Sequence, residues 1–193
     1  IYVPDLERAM QNYTAQGFTV SAGGQHARTE NALIIFADGT YLELLALQKN
    51  VRRPLIRLAV KLGLIERSAA GKTDMYWRLL RWITRGTGIV DWCVAAPEIS
   101  ATLQGWKTED RAIIPPQYFD RTRPDGKVAK WYLGAPKTFD LPFLIEDISD
   151  RDIRVPPASD DTHPNGATGI AEITLSVPDP QKAQAQYEKI GML

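Results

Sequence analysis

Cysteine is almost missing from this chain of 193 residues: Cys93 stands alone, so no disulfide closes within it and no cysteine cluster holds zinc or iron and sulfur. Histidine appears only as His26 and His163. No run of about 18 apolar residues occurs, so hydropathy marks no membrane-spanning helix. A surplus of one charge is also lacking, because 23 Lys and Arg balance 23 Asp and Glu, and global charge therefore points to no polyanion partner. The first residues lack the basic-then-apolar layout of a signal peptide, and a cytoplasmic location is expected. The chain opens on Ile1 without a methionine, and further residues are expected beyond both ends. No phosphate-cradling glycine loop, Gly-x-Ser-x-Gly elbow or zinc-finger spacing is present, so no nucleotide cofactor is expected.

What is present is ordinary globular composition, 44% apolar and 24% charged, at a length that buries roughly 70% of the unfolded surface. The most informative stretch is Asn31 to Leu47, two apolar runs meeting at Asp38 and Gly39, a dipeptide suited to a tight hairpin turn. A two-residue primed turn pairing Ala37 with Thr40 places Ile34, Phe36, Tyr41, Glu43 and Leu45 on one face. Leu33, Ile35, Leu42 and Leu44 then fall on the other. Both faces are apolar, so both are expected to be covered. Glu43 is the charge inside, and such a carboxylate has to be paired, hydrogen-bonded or bound to a metal to stay ionised.

Around this hairpin the chain repeats itself. Ile1 to Val3 reads as a strand end, Asp5 as an N-cap, and Leu6, Ala9, Met10 and Tyr13 as the stripe of a helix that Gly17 ends. With the extended segment from Phe18 and the hairpin, the order is βαβββ. A second βαβββ unit starts with a strand at Ile89 to Ala96. A short helix follows, then a hairpin around Pro124, Asp125 and Gly126 with a glycine bulge, and a last strand at Leu141 to Ile148. A third start follows Pro156 and Pro157. There Ile170 to Val177 reads as a strand, and Val177, Pro178, Asp179, Tyr187 and Gly191 repeat Val3, Pro4, Asp5, Tyr13 and Gly17 at an offset of 174. The expected division is a first module over 1–47, an insertion over 48–85, a second module over 86–150, and a linker with the third start over 151–193.

The insertion differs in character. Ten basic residues (Lys49, Arg52, Arg53, Arg57, Lys61, Arg67, Lys72, Arg78, Arg81 and Arg85) face Glu66 and Asp74, so it is +8 and the remainder −8. Leu55 to Leu64 and Asp74 to Ile83 read as helices. The favoured reading is a segment that packs its aromatic residues on the core and solvates its arginines. A lid over a cleft and a basic amphipathic surface are the alternatives.

Two βαβββ copies carrying Val3-Pro4-Asp5-Leu6, Gly23-Gly24-Gln25-His26, Thr29-Glu30-Asn31-Ala32-Leu33 and Asp38-Gly39-Thr40-Tyr41-Leu42-Glu43-Leu44 resemble the glyoxalase-like domain of the vicinal oxygen chelate superfamily. Leu141-Pro142-Phe143-Leu144-Ile145-Glu146-Asp147 and His163-Pro164-Asn165-Gly166-Ala167-Thr168-Gly169-Ile170-Ala171-Glu172 look like later signatures of the same group. The resemblance implies an α+β fold of tandem βαβββ modules forming a curved mixed sheet around a cleft. It implies that first and fourth strands of each module lie side by side, with metal-ligand slots at Glu43, Asp91 and Glu146. Three carboxylates suit Mg²⁺ or Mn²⁺, while Fe²⁺ or Zn²⁺ would take a histidine as well.

Two readings of function stay open. One is a metal-assisted lyase, isomerase or oxygenase acting on a small molecule with vicinal oxygens, where the metal polarises the substrate and Glu43 or His26 moves a proton. The other is a metal-free small-molecule binding protein using the same cleft. Phe36, Tyr41, Arg121 and Arg123 are the candidate substrate contacts, the two arginines by their capacity for bidentate binding of a carboxylate. Against each stands a plain structural role: a satisfied buried acid for Glu43 and Glu146, an ion-pair partner of Arg85 for Asp91, a turn residue for His26, exposed edge charges for Arg121 and Arg123. A homodimer is an expected assembly. Nucleic acid and a membrane surface are not expected as partners, and a surface-association role for the basic insertion is the third alternative.

Overall fold

The computed structural model describes residues 1–192 except Ala27, Asn50, Arg52 and Pro124, and for Gln25, His26, Arg53 and Arg57 it describes the backbone alone. Helix α1 (Leu6–Ala15) starts where expected, with the Asp5 carboxylate accepting from Arg8 N. Gly17, at φ 82°, reverses the chain after it. Strands β1 (Ser21–His26), β2 (Thr29–Ile35) and β3 (Tyr41–Leu47) form an antiparallel sheet in the order β1-β2-β3. Ile1 to Val3 is not a full strand, yet it lies parallel beside β3: Leu45 N donates to Ile1 O at 2.8 Å and Val3 N to Leu45 O at 2.8 Å.

The hairpin register differs from the expected one. Ile35 pairs with Tyr41 and Leu33 with Glu43, and Phe36 N donates to Thr40 O. The turn has three residues, Ala37, Asp38 and Gly39, with Gly39 N donating back to Phe36 O and Gly39 at φ 83°. This is a type I turn followed by a glycine bulge, and its extra residue slips the register by one. As a result Asn31, Leu33, Ile35, Tyr41, Glu43 and Leu45 share a face. Ala32, Ile34, Phe36, Leu44 and Ala46 occupy the opposite one and pack with Val3 and Ala9 under α1. Phe36 is thus a core residue rather than a companion of Glu43.

The insertion forms three helices, α2 (Arg53–Lys61), α3 (Leu64–Ala70) and α4 (Tyr76–Arg85). The first expected helix ends at Lys61, short of Leu64, and Gly63, at φ 65°, separates it from α3, a helix the sequence reading did not expect. Strand β4 (Cys93–Ala95), helix α5 (Ile99–Trp106), and strands β5 (Ile113–Thr122), β6 (Val128–Pro136) and β7 (Phe143–Asp147) make the second βαβββ unit, in the sheet order β4-β7-β6-β5. The first strand is shorter than Ile89 to Ala96 because only Cys93 to Ala95 finds ladder partners on β7, in parallel. The β5–β6 turn has the expected bulge. Pro124 lies outside the described residues, but Gly126 sits at φ 80° and Arg123 N donates to Lys127 O. Ala96, Ile99, Leu103, Trp106 and Leu144 form the core between α5 and this sheet.

Helix α6 (Arg151–Arg154) and α7 (Pro180–Lys189) complete the chain. Helix α7 repeats α1 in detail: Asp179 caps Lys182 N as Asp5 caps Arg8 N, and Met192 N bonds Tyr187 O as Phe18 N bonds Tyr13 O. The strand expected over Ile170 to Val177 does not form. Among the described residues the segment has no ladder partner, and Ile173 and Leu175 stay 51% and 41% exposed. A strand is stable only when a neighbour takes its backbone bonds.

Candidate functional site

Each sheet has an outer face under its βαβββ helix and an inner face opposite. The inner faces meet around Tyr41, Glu43, Cys93, Arg121 and Asp147. Tyr41 accepts from Arg154 Nη1 at 2.9 Å, while Arg154 grips Asp147 of β7 bidentately at 2.6 and 2.9 Å. One buried guanidinium therefore ties β3 of the first sheet to β7 of the second. Hydrogen bonds from charged donors in such surroundings are among the strong ones. Burial holds the Tyr41 phenol protonated up to about 12, the positive charge of Arg154 offsetting only part of the desolvation. Tyr41 therefore keeps an O–H to donate.

Arg121 and Arg123 point toward α6. Arg121 Nη2 donates to Arg154 O at 3.2 Å, and Arg123 Nη1 donates to Ile153 O at 3.2 Å. They cap the last carbonyls of that short helix, which gives them a structural task in place of an exposed edge. Arg121 is the more telling of the two. Its Nε is shut off from water and has no hydrogen-bond partner among the described residues, and burial lowers its pKa while the charge of Glu43 pulls the other way. Its aliphatic stem lies against Gly24, where a Cβ would come within 3.2 Å of Arg121 Cδ.

Glu43 projects from β3 into the same space. Asn31, its neighbour on β2, donates from Nδ2 to Glu43 Oε1 at 2.5 Å. A neutral amide, not a guanidinium, thus holds this carboxylate. Glu43 is near enough to raise the titration of Tyr41 and of Cys93, whose thiol burial pushes up strongly. Burial thus makes Cys93 hold its proton more tightly than an ordinary cysteine does.

Asp91 lies just before β4, and its carboxylate is fully engaged. Arg78 of α4 binds it through Nε and through Nη2, the latter at 2.8 Å. Trp82 Nε1 donates at 2.6 Å and Trp92 N at 2.9 Å. Arg78 in turn donates to the carbonyls of Pro136, Thr138 and Leu141, and its guanidinium lies 4.8 Å from the Phe139 ring centre. Helix α4 thereby plugs the inner face of the second sheet, with Met75 and Trp77 packed around Ile114, Phe119, Leu133, Ala135 and Phe143. The partner of Asp91 is Arg78, not Arg85, which lies over Phe139.

Glu146 is on the other side. Strand β7 presents Phe143, Ile145 and Asp147 inward and Leu144 and Glu146 outward, where Glu146 Oε2 accepts from Ile99 N at 3.2 Å at the start of α5. It lines a groove of about 380 Å³ with Glu98, Ile99, Ser100, Pro116 and Tyr132. The backbone pairings explain the misplacement. Val3 bonds Leu45 and Ala96 bonds Ile145, so the fourth strands align at an offset of 100, which makes Phe143 the counterpart of Glu43. His26 ends β1, and its side chain lies outside the described residues. Phe36 is buried under α1 and packs edge-on with His163.

Glu43, Asp91 and Glu146 are thus not brought to one point, and among the described residues no group of three His, Cys, Asp or Glu side chains converges. The donor set does not fit a divalent ion: one carboxylate is spent on Arg78 and two tryptophan donors, and another faces the opposite side of its sheet. Sequence reasoning missed Arg78, Asp147 and Arg154. No local pattern in the sequence marks these three, because each meets its partner only through tertiary packing.

The chain matches the glyoxalase-like domain family over residues 1–191. It also resembles a solved structure, the crystal structure of a hypothetical protein from Staphylococcus aureus, with a TM-score of 0.56 at 20% identity over 82% of this chain and 63% of that one. It therefore spans less than two thirds of that protein's length, and the likeness concerns the fold. No curated protein matches the chain. The chain belongs to the glyoxalase-like domain family of the vicinal oxygen chelate superfamily.

Proposed function

We propose that this protein binds a small oxygenated organic anion between its two inner sheet faces, and that it does so through its own side chains without a divalent metal. The observation that carries this reading is the pairing of Glu43 with a neutral amide while Arg121, close by, keeps a buried Nε that finds no acceptor among the described residues. A carboxylate and a guanidinium on the facing inner sides of the two sheets, neither of them in an ion pair within 4 Å among the described residues, leave one acceptor and one cation for a ligand. Tyr41 adds a phenolic donor that remains protonated at neutral pH. In this arrangement Arg121 attracts the ligand's negative charge, Tyr41 donates to one of its oxygens, and Glu43 accepts a proton from a hydroxyl or an acidic C–H. The metal-assisted alternative draws no support from Asp91 and Glu146, which are engaged elsewhere.

The test is a thermal-shift panel of small hydroxy acids, oxo acids and phenols, run with Mn²⁺ and with a chelator. A ligand whose stabilisation survives chelation and disappears in both Glu43→Gln and Arg121→Leu fits the reading. Stoichiometric Mn²⁺ binding that is lost in Glu43→Gln, with ligand binding only in the presence of the ion, overturns it.

A further inference from the structure

The insertion carries a feature that the proposed ligand site does not use. Leu55, Leu58 and Leu62 stand at i, i+3 and i+7 along α2 and its end, and with Leu64 at the start of α3 they are between 47% and 58% exposed. Ile56, Ala59 and Val60 are half-buried, so α2 rests on the protein by one stripe and turns a second, leucine stripe to solvent. Tyr76, at the start of α4, is also 54% exposed. Exposed around them are Lys61, Arg67 and Lys72, and α2 contains no acidic residue.

We propose that the α2–α3 face is a docking surface for an anionic lipid bilayer, on which the protein lies by inserting Leu55, Leu58, Leu62 and Leu64 among the acyl chains. Charge complementarity selects this occupant. Residues 53–72, which make α2, α3 and the turn after them, hold Arg53, Arg57, Lys61, Arg67 and Lys72 against Glu66, a net charge of +4 on the segment that carries the leucines. A symmetric dimer through the same face would set +4 against +4, a like-charge arrangement that opposes a second copy there. A nucleic acid would neutralise the lysines but leave the leucines in water. A bilayer with acidic headgroups satisfies both, since a helix of this kind sinks its apolar face about 5–10 Å into the interface while Lys and Arg reach up to the phosphates. Among the described residues no helix is long and apolar enough to cross a membrane, which suits attachment in the interface plane.

The full chain is sedimented with vesicles of phosphatidylcholine alone and with phosphatidylserine added. Binding is expected only to the acidic vesicles, weakening as salt is raised because surface charges are screened beyond about 8 Å at physiological ionic strength. Leu58→Ser with Leu62→Ser is expected to lower the partition roughly tenfold, and Lys61→Glu with Lys72→Glu to do the same. Near-ultraviolet circular dichroism should match that of the parent, since all four side chains are solvent-exposed. Three results overturn the proposal. One is no binding to acidic vesicles. Another is binding that survives the serine changes and is matched by heparin, which would mark a polyanion surface. The third is a concentration-dependent dimer that the serine changes disperse while vesicles are ignored.

Discussion

Arg78, in the middle of α4, and Asp91, just before β4, form a bidentate ion pair whose side chains are 0% and 4% exposed. The pair fastens the basic insertion to the inner face of the second sheet. Removing Arg78 alone strands a desolvated carboxylate and three carbonyls, so Arg78→Ala is expected to cost about 3–5 kcal/mol in urea unfolding. The double change Arg78→Met with Asp91→Asn should cost clearly less than the sum of its parts, because it removes both charges together. Limited proteolysis should find residues 48–85 far more cleavable in Arg78→Ala. An unchanged urea midpoint would show that the pair does not anchor the helix.

The Tyr41 phenol titrates near 12 in the folded chain against about 10 when unfolded, so the folded state holds the proton more tightly. Stability from this group is therefore complete below pH about 10 and is lost as pH rises through about 12. Two pKa units correspond to about 2–3 kcal/mol. Tyr41→Phe should flatten the loss of stability over that window, and spectrophotometric titration should lose its late phenolate. At neutral pH the same change should cost about 1–2 kcal/mol, because Arg154 Nη1 loses its acceptor.

Glu43 and Glu146 should part company under mutation. Glu146→Ala deprives the first turn of α5 of an acceptor and is expected to cost about 1 kcal/mol without affecting ligand binding. Glu43→Gln should abolish ligand stabilisation. Equal effects of the two changes on ligand affinity would contradict the outward placement of Glu146.

His163 fastens the linker to the first module. Its Nδ1 accepts from Thr19 N at 3.0 Å, and its ring stands edge-on to Phe18 and Phe36 at 5.7 and 5.1 Å. His163→Ala empties a buried site and orphans a backbone donor, for an expected loss of about 2–4 kcal/mol by chemical denaturation. His163→Asn, which keeps an acceptor, should lose less. If both variants unfold at the parent midpoint, the strap contributes nothing.

Much of the local architecture was legible in the residues. Asp5 and Asp179 each cap the helix that follows, Gly17 and Gly126 take the positive φ expected of them, and the repeat at offset 174 returns as a helix with the same cap and the same final turn. These are interactions between residues a few positions apart, so spacing and side-chain chemistry suffice to find them. The hairpin register was less accessible. Asp38-Gly39 marks a turn, but whether two or three residues make it depends on how the strands pack, and here that choice moved Phe36 into the core and set Glu43 among Asn31, Leu33 and Tyr41.

The sequence by itself determined the βαβββ repeat and the capped starts of α1 and α7, while the side-by-side first and fourth strands were implied by the family resemblance. It did so because apolar period, caps and glycine turns act over short range. Only the tertiary structure decided which carboxylates face inward between the two sheets. Asp91 was claimed by Arg78 from a helix 13 residues earlier, Glu146 fell outward by a single step of the β7 pleat, and Asp147 turned inward to Arg154. A strand changes face with every residue, and a buried charge takes whichever partner the packing of distant segments delivers, so the site depends on long-range register that no local pattern encodes.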